Sequence, residues 1–427
     1  MTADPRSLPD PFPITPLETP PDAEVVLPGS KSITNRALVC AALADGRSTL
    51  SGALFADDTV AMLGVLEALG VRTEADPAAA TIMVDGCGGA IPGIEAEVSA
   101  NQSGTTARFA VPLVATGASP VVVDAHPQMR GRPMDDQFAA LRAMGVSIEE
   151  LGEPGRLPAR IAGPIQTHEA TLPGDVSSQF ITGLLLAGGA DRLRVELTTE
   201  PISRPYIDMT VAVMAAFGAA IEHDGQRQWS VGGGYRGTDY LIEPDASAAS
   251  YALAAAAITG GRVRVSGLGR DALQGDVAFA GVLGEMGCDV VVGDDFVEVS
   301  GRAHRGIDVD LSDISDTAPT LAVVAAFADT ATRVDGIGFI REKESDRVAG
   351  PVTELRRAGV DAEEHEDGFV VRPAGRPGPA VFDTYEDHRM AMAFSLVGLV
   401  VPGVAVRDPG CVAKTFPGYF EALEQLR

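Results

Sequence analysis

Cysteine, histidine and aromatic residues are all scarce in this 427-residue chain. The four cysteines, Cys40, Cys87, Cys288 and Cys411, stand alone, with no C-x-x-C pair among them, so zinc knuckles and thioredoxin-like redox motifs are excluded. Of the six histidines, His126, His168, His223, His304 and His365 show no spacing that suits a metal. One Trp and 5% aromatics leave the core to Ala, Val, Leu and Ile. Basic residues are outnumbered: 33 Lys and Arg face 59 Asp and Glu, a formal net charge of -26. Such a field argues against nucleic acid and anionic membranes as partners. No charge-free run of ~18 apolar residues occurs, so no membrane span is expected and the cytoplasm is the expected location. Residues 1–21 are proline-rich without an apolar run and read as a flexible tail rather than a signal peptide.

Repetition is what the chain has in abundance. A helical stretch ending in glycine and followed by a strand appears as DDTVAMLGVLEALG and returns four times, with Gly70, Gly145, Gly218, Gly287 and Gly359 at its ends. The spacing is about 72 residues, and each glycine suits the position just past a helix terminus. A second unit runs in phase with the first: a small or polar turn opens an Ala-rich helix. Its copies begin SKSITNRALVCAAL, SGTTARFAVPLVA, VSSQFITGLLLA, DASAASYALAAAA, SDTAPTLAVVAAF and YEDHRMAMAFSLV. Together they predict six βαβαββ modules in an α/β fold, grouped as two similar domains of three. The first module lacks a preceding strand and the last is truncated. The strand near residue 25 is therefore expected to complete the C-terminal module, which makes that domain discontinuous: residues 22–29 and 244–427, against 30–243 for the other.

The Ala-rich helices are apolar nearly all round and must be buried. Their first N–H groups lack internal partners and carry partial positive charge. Ser, Thr or Asp at such a place is explained by capping, which leaves Asp245 and Ser247 open to either reading. Lys31, Arg36, Arg108 and Arg389 are not explained so, because the helix dipole disfavours cations there. A strongly anionic ligand would account for them. Gly232–Gly237 matches G-x-G-x-x-G, but a strand follows it, so it reads as a hairpin turn and not a dinucleotide loop.

LPGSKSITNRAL, SGTTAR, MRGRP, DVSSQF, SRPYIDMT, EPDASAASY, KESDR and EDHRMAMA occur in that order between residues 24 and 427. Together they resemble the 5-enolpyruvylshikimate-3-phosphate synthase family of enolpyruvyl transferases. The resemblance implies two three-module domains with the active site in the cleft between them. It also implies transfer of the enolpyruvyl group of phosphoenolpyruvate to the 5-hydroxyl of shikimate 3-phosphate, with loss of phosphate. By the same resemblance Ser177, Ser178 and Ser203 would bind the shikimate phosphate with Lys343 nearby, and Ser32, Arg36, Tyr206 and Asp316 the ring; Lys31 and Gln179 would serve both substrates. Phosphoenolpyruvate would lie against Lys31, Gly104, Arg132, Gln179, Arg347, Arg389 and Lys414, with His388 in support. Asp316 is the expected base, and Glu344 or Lys31 the proton donor. No metal or organic cofactor is implied; the partners are the two small substrates, and a monomer is expected. Glyphosate, the family's inhibitor, should bind beside Gly104. Two residues depart from the family's pattern: Phe339, where Asn is common, and Phe109, where Pro is frequent.

A sister enzyme acting on UDP-N-acetylglucosamine normally carries a reactive Cys before the R-P motif, and AHPQMRGRP has none. A binding scaffold would explain the modules but not the cations at helix starts. An RNA-end cyclase sits poorly with the acidic charge.

Overall fold

The computed structural model describes residues 4–189 and 192–427. The Ala-rich segments form helices α1 (Lys31–Leu43), α2 (Gly104–Val114), α3 (Ser178–Gly188), α4 (Ala246–Thr259), α5 (Ala318–Ala325) and α6 (His388–Ser395). Every residue of α2, α5 and α6 is buried, as the lack of a polar face requires. Five of the six are capped by a side chain. Ser30, Ser103, Ser177, Asp245 and Asp387 accept the N–H of Ile33, Thr106, Gln179, Ala248 and Arg389, respectively. At the head of α5 a 3-10 turn, Ser315–Thr317, and Pro319 take the place of a cap. The repeated glycines Gly70, Gly145, Gly218, Gly287 and Gly359 all have positive φ, from 79° to 107°, as a left-handed helix stop requires.

Among the described residues the strands form six sheets, and five of them share one design. A parallel pair of strands, joined through a buried helix in three of the five, continues into antiparallel pairing. In the sheet Ala96–Ser99, Val121–Asp124, Ala159–Ala162, Ser147–Glu150, the first two strands are parallel and the rest antiparallel. The chain divides into two compact units, Gly29–Glu243 and Met1–Pro28 with Pro244–Arg427. Each unit contains three sheets.

The strand that completes each first module comes from far along the chain. In the unit Gly29–Glu243, Asp239–Leu241 runs parallel to Arg47–Ser51. In the other, Asp22–Val25 runs parallel to Arg262–Ser266 and so completes the first module of that unit, not the truncated last one expected from the sequence. The Gly232–Gly237 segment is likewise not a hairpin: Gln228–Gly232 and the following strand Asp239–Leu241 belong to different sheets. Gly233 and Gly234, both at positive φ, carry the chain from one sheet to the next.

The last module is completed by the segment expected to be a flexible tail. Phe12–Pro13 pairs antiparallel with Ala405–Val406, Ile14 is buried, and the ring of Phe12 lies 4.6 Å from that of Phe420. Pro5–Ser7 forms a 3-10 turn capped by Asp4. Arg427 donates to the carbonyls of Thr15 and Pro16 at 2.7 and 3.1 Å. Prolines suppress helix and interior strand, but an edge strand tolerates them, and Phe12 and Ile14 supply the apolar anchors. Residues 1–3 lie outside the described part. Among the described residues no helix is long and apolar enough to cross a membrane.

Candidate active site

In the unit Gly29–Glu243 the sequence candidates gather at the heads of α1, α2 and α3. Lys31, at the first position of α1, pairs with the buried Asp58 at 3.7 Å. Arg36, one turn on, is buried. Its Nε donates to Thr210 Oγ1 at 2.8 Å, and its Nη atoms to the carbonyls of Ser32 and Tyr206 at 2.9 and 3.0 Å. Burial pulls its proton affinity down to about 10, below the ordinary arginine value. Phe109, the departure from the family pattern, lies face-on to that guanidinium at 5.4 Å. An aromatic face compensates a desolvated cation that has few anions near it.

Gly104 opens α2 with no side chain, and a Cβ there would sit 2.5 Å from Arg132 Nη1. The absent methyl is thus the space in which the buried Arg132 guanidinium lies. Arg108, on the inner face of α2, donates to Gln179 Oε1 at 2.8 Å and to Ser177 Oγ at 3.4 Å. Gln179 Nε2 in turn donates to Thr105 Oγ1 at 3.2 Å. Arg108 therefore orients two of the expected ligand groups at the head of α3, a role the sequence hinted at only by placing a cation in a buried helix. Ser178 and Ser203 are both buried, and Ser203 has φ 51°, a left-handed conformation that Ser seldom adopts. Tyr206 follows in the first turn of the helix Arg204–Ala216, its N–H on the carbonyl of Ser203.

In the other unit the remaining candidates form one ion network. Arg347 is 2% exposed and meets three carboxylates. Its Nε and Nη2 fork onto Asp387 at 2.8 and 3.1 Å, Nη1 reaches Asp316 at 3.0 Å, and Nη2 reaches Glu344 at 2.7 Å. Arg389 donates to the second Asp316 oxygen at 2.6 Å, and Lys414 Nζ lies 3.3 Å from Glu344. Burial pulls the Arg347 proton affinity down, but Asp387, Glu344 and Asp316 outweigh it and hold the group above its ordinary range. His388 is held well below the usual imidazole range, first by burial and then by Lys414 and Arg389, so it is neutral at pH 7. Lys343 is half-buried with its ammonium 5.9 Å from the ring of Phe339, the second departure.

Tyr385 and Glu386, immediately before this network's Asp387, both have φ 56°. Two successive left-handed residues, neither a glycine, turn the chain so that Asp387 can cap α6 and receive Arg347. Tyr385 is fixed by its hydroxyl on the buried Glu354 at 2.6 Å, whereas Glu386 is exposed. Relief of left-handed strain is worth about 1–2 kcal/mol, and the chain entropy of glycine costs about 0.5–1 kcal/mol. Glu386→Gly is therefore expected to stabilise the unit by roughly 0.5–1 kcal/mol, read as a rise in the urea midpoint; a fall would show that Glu386 makes a contact that outweighs its strain.

The family model for EPSP synthase (3-phosphoshikimate 1-carboxyvinyltransferase) matches residues 18–423. The chain belongs to this family. It is similar to the 3-phosphoshikimate 1-carboxyvinyltransferase of Trichormus variabilis, at 43% identity over 417 residues, covering 96% of this chain and 98% of the relative. The enzyme of the same name from Thiobacillus denitrificans is 45% identical over 413 residues, covering 94% of this chain and 96% of the relative. Among solved structures, EPSP synthase from Acinetobacter baumannii superposes with a TM-score of 0.81 at 25% identity, covering 98% of each chain. The enolpyruvyl transferase NikO from Streptomyces tendae matches in fold with a TM-score of 0.74 at 20% identity, covering 97% of this chain and 96% of that one.

Proposed function

We propose that the chain transfers the enolpyruvyl group of phosphoenolpyruvate to the 5-hydroxyl of shikimate 3-phosphate and releases phosphate. Besides family membership, the observation that carries this reading is the cluster of Arg347, Arg389 and Lys414 within one unit of a protein whose net charge is -26. An acidic protein concentrates buried cations in one place where a small anion must be held. Lys31 and Arg132, at the heads of helices in the other unit, would hold the same substrate, in the interdomain site that the resemblance implies. Ser177, Ser178 and Ser203, with Lys343, would take the sugar phosphate, and Ser32, Arg36 and Tyr206 the ring.

Asp316 would accept the proton of the 5-hydroxyl as oxygen attacks C2 of the enol. Lys31 or Glu344 would give a proton to C3, and the tetrahedral intermediate would then lose phosphate from C2 and a proton from C3, which restores the C2–C3 double bond. The guanidinium forks already aligned by Asp316, Glu344 and Asp387 need little rearrangement to stabilise the anionic groups during reaction. Neutral, buried His388 would bound this cluster without adding to its charge. We also propose that the enzyme acts as a cytoplasmic monomer.

Mixing the protein with both substrates between pH 6 and 9 and measuring phosphate release tests the reaction. No release with shikimate 3-phosphate, or release only with UDP-N-acetylglucosamine, would overturn it. Gly104→Ala provides a sharper test of the placement of phosphoenolpyruvate. The new methyl would stand 2.5 Å from Arg132 Nη1 and must push the guanidinium aside. The expected result is weaker glyphosate inhibition and a raised KM for phosphoenolpyruvate, each by roughly tenfold, the equivalent of about 1.4 kcal/mol of lost contact. Unchanged inhibition would remove Gly104 from the site.

A further inference from the structure

Lys414 ends the 3-10 segment Pro409–Lys414 and is 2% exposed, its Nζ 3.3 Å from Glu344. The chain enters this segment through Asp408, which has φ 42° and ψ 55°, a left-handed turn that is costly for a residue with a side chain. Such a turn persists where its surroundings fix it. The residues before it are tied down in order: Ala405 and Arg407 donate their N–H groups to the carbonyls of Ala380 and Phe382 at 3.1 and 2.9 Å. The N–H of Asp408 itself goes to a side chain from the other end of the sequence, Oδ1 of Asp10, at 3.1 Å. Asp10 is exposed, but the chain on both sides of it is anchored. Beyond it, Phe12–Pro13 pairs with Ala405–Val406, and the N–H of Ile14 donates to the carbonyl of Val404 at 2.9 Å. Before it, Arg6 passes so near Gly410 that a Cβ there would lie 3.2 Å from both Arg6 Cα and Cγ. The N-terminal arm thus covers the left-handed turn and the first residues of the segment that carries Lys414.

We propose that Asp10 is a positioning residue for the reaction: by holding the turn at Asp408 it sets the direction in which Pro409–Lys414 leaves the sheet, and so where the Lys414 ammonium stands. The proposal rests on the enolpyruvyl-transfer reading of the site, in which Lys414 holds phosphoenolpyruvate. Pro409 has no N–H with which to fix the turn. The first backbone bond inside the segment, from the N–H of Cys411 to the carbonyl of Asp408 at 3.2 Å, makes the segment follow Asp408. A 3-10 segment rises about 2 Å per residue, which puts Lys414 roughly 12 Å from Asp408, and a tilt of about 5° there moves its backbone by about 1 Å. Phe416 and Tyr419, packed edge-on with ring centroids 5.7 Å apart, hold the chain just past Lys414. Loss of the Asp10 bond should therefore loosen the segment rather than release it.

The test compares Asp10→Ala, which removes the acceptor, with Asp10→Asn, which keeps an oxygen in the same place. In Asp10→Ala the KM for phosphoenolpyruvate should rise by roughly three- to tenfold, the range of one modest hydrogen bond, while kcat and the KM for shikimate 3-phosphate stay within about twofold. Asp10→Asn should recover most of that loss. A merely structural role would lower the thermal midpoint without separating the two substrates. A second readout needs no turnover. The chain has three lysines in all, Lys31, Lys343 and Lys414, and each is a candidate substrate contact. Acetylation by an amine-directed reagent can therefore be followed at each of them by peptide mass spectrometry. The rate at Lys414 relative to Lys343 should rise in Asp10→Ala, again by roughly three- to tenfold, and stay near the wild-type ratio in Asp10→Asn. Acetylation of Lys414 at the wild-type rate in Asp10→Ala overturns the proposal. So does a KM for phosphoenolpyruvate that rises equally in the two variants, or no more than the KM for shikimate 3-phosphate. If the wild type releases no phosphate while Lys414 still becomes more reactive in Asp10→Ala alone, Asp10 does position Lys414, and the enolpyruvyl-transfer reading is what has failed.

Discussion

Replacing Arg347 by methionine should destabilise the unit that contains it by about 3–5 kcal/mol, the largest loss expected of any single substitution in the network. The size follows from what is left behind. Asp387 is fully buried, and two of its contacts are the Nε and Nη2 of Arg347. Asp316 would keep Arg389 and Glu344 would keep Lys414. Methionine fills the volume of the side chain but offers no donor, so a carboxylate with no access to water faces an apolar neighbour. Ser345, which donates to Asp387 at 2.8 Å, cannot supply a charge. Lysine restores the charge but not the fork and should recover part of the loss, because one ammonium cannot reach Asp387, Asp316 and Glu344 in the directions that a guanidinium does. Urea unfolding of the three proteins measures this order. Equal midpoints for wild type and Arg347→Met would mean that the three carboxylates find other counter-charges.

The same network shows why much of the site could be read from the chain and some could not. A cation at the head of an apolar helix contradicts both burial and dipole, so Lys31, Arg36 and Arg389 stand out without coordinates. Serine and aspartate at the same positions are consistent with two explanations. The structure gives both at once at the head of α4, with Asp245 capping the helix and Ser247 bonded to Asp276. Asp276 itself gave no signal: it lies in GDVAFAG, where an acidic residue before a helix is unremarkable, and only packing brings it to the hydroxyl of Ser247. Arg36 shows the converse. It is conspicuous in the sequence, yet most of its donors are turned inward to Thr210, Ser32 and Tyr206, and its service to the reaction would be to hold Ser32 and Tyr206 as much as to touch a ligand.

Strand partners were the least legible part of the fold. Period and caps are local properties, and they located the six buried helices. Which strand closes which sheet depends on the path of the whole chain. Asp22–Val25 and Phe12–Pro13 are short and polar or proline-bearing, and either would fit an open edge by its own residues. The ladder with Arg262–Ser266 is set by the crossover that follows, where Asp245 N–H meets the carbonyl of Pro28 at 2.9 Å. That leaves Phe12–Pro13 for the edge beside Ala405–Val406, and the proline-rich tail becomes structure.

Asp316→Asn should lower kcat by about 10²–10⁴, the usual contribution of a positioned base, with a far smaller change in the KM for shikimate 3-phosphate. Asn has the same shape, but only one of its two terminal atoms accepts. Asp316 Oδ1 receives Arg347 at 3.0 Å and Oδ2 receives Arg389 at 2.6 Å, so the amide must turn its NH2 towards one of two guanidinium groups. Arg347 keeps Asp387 and Glu344 as partners, so the side expected to loosen is that of Arg389. Two roles then separate by their kinetics. If Asp316 takes the proton, kcat collapses while phosphoenolpyruvate still binds. If it serves only to aim Arg389, kcat survives at saturation and the KM for phosphoenolpyruvate rises instead. Phosphate release at saturating levels of both substrates, with circular dichroism to confirm the fold, decides between them. A kcat within tenfold of wild type would transfer the task of base to another group of the cluster.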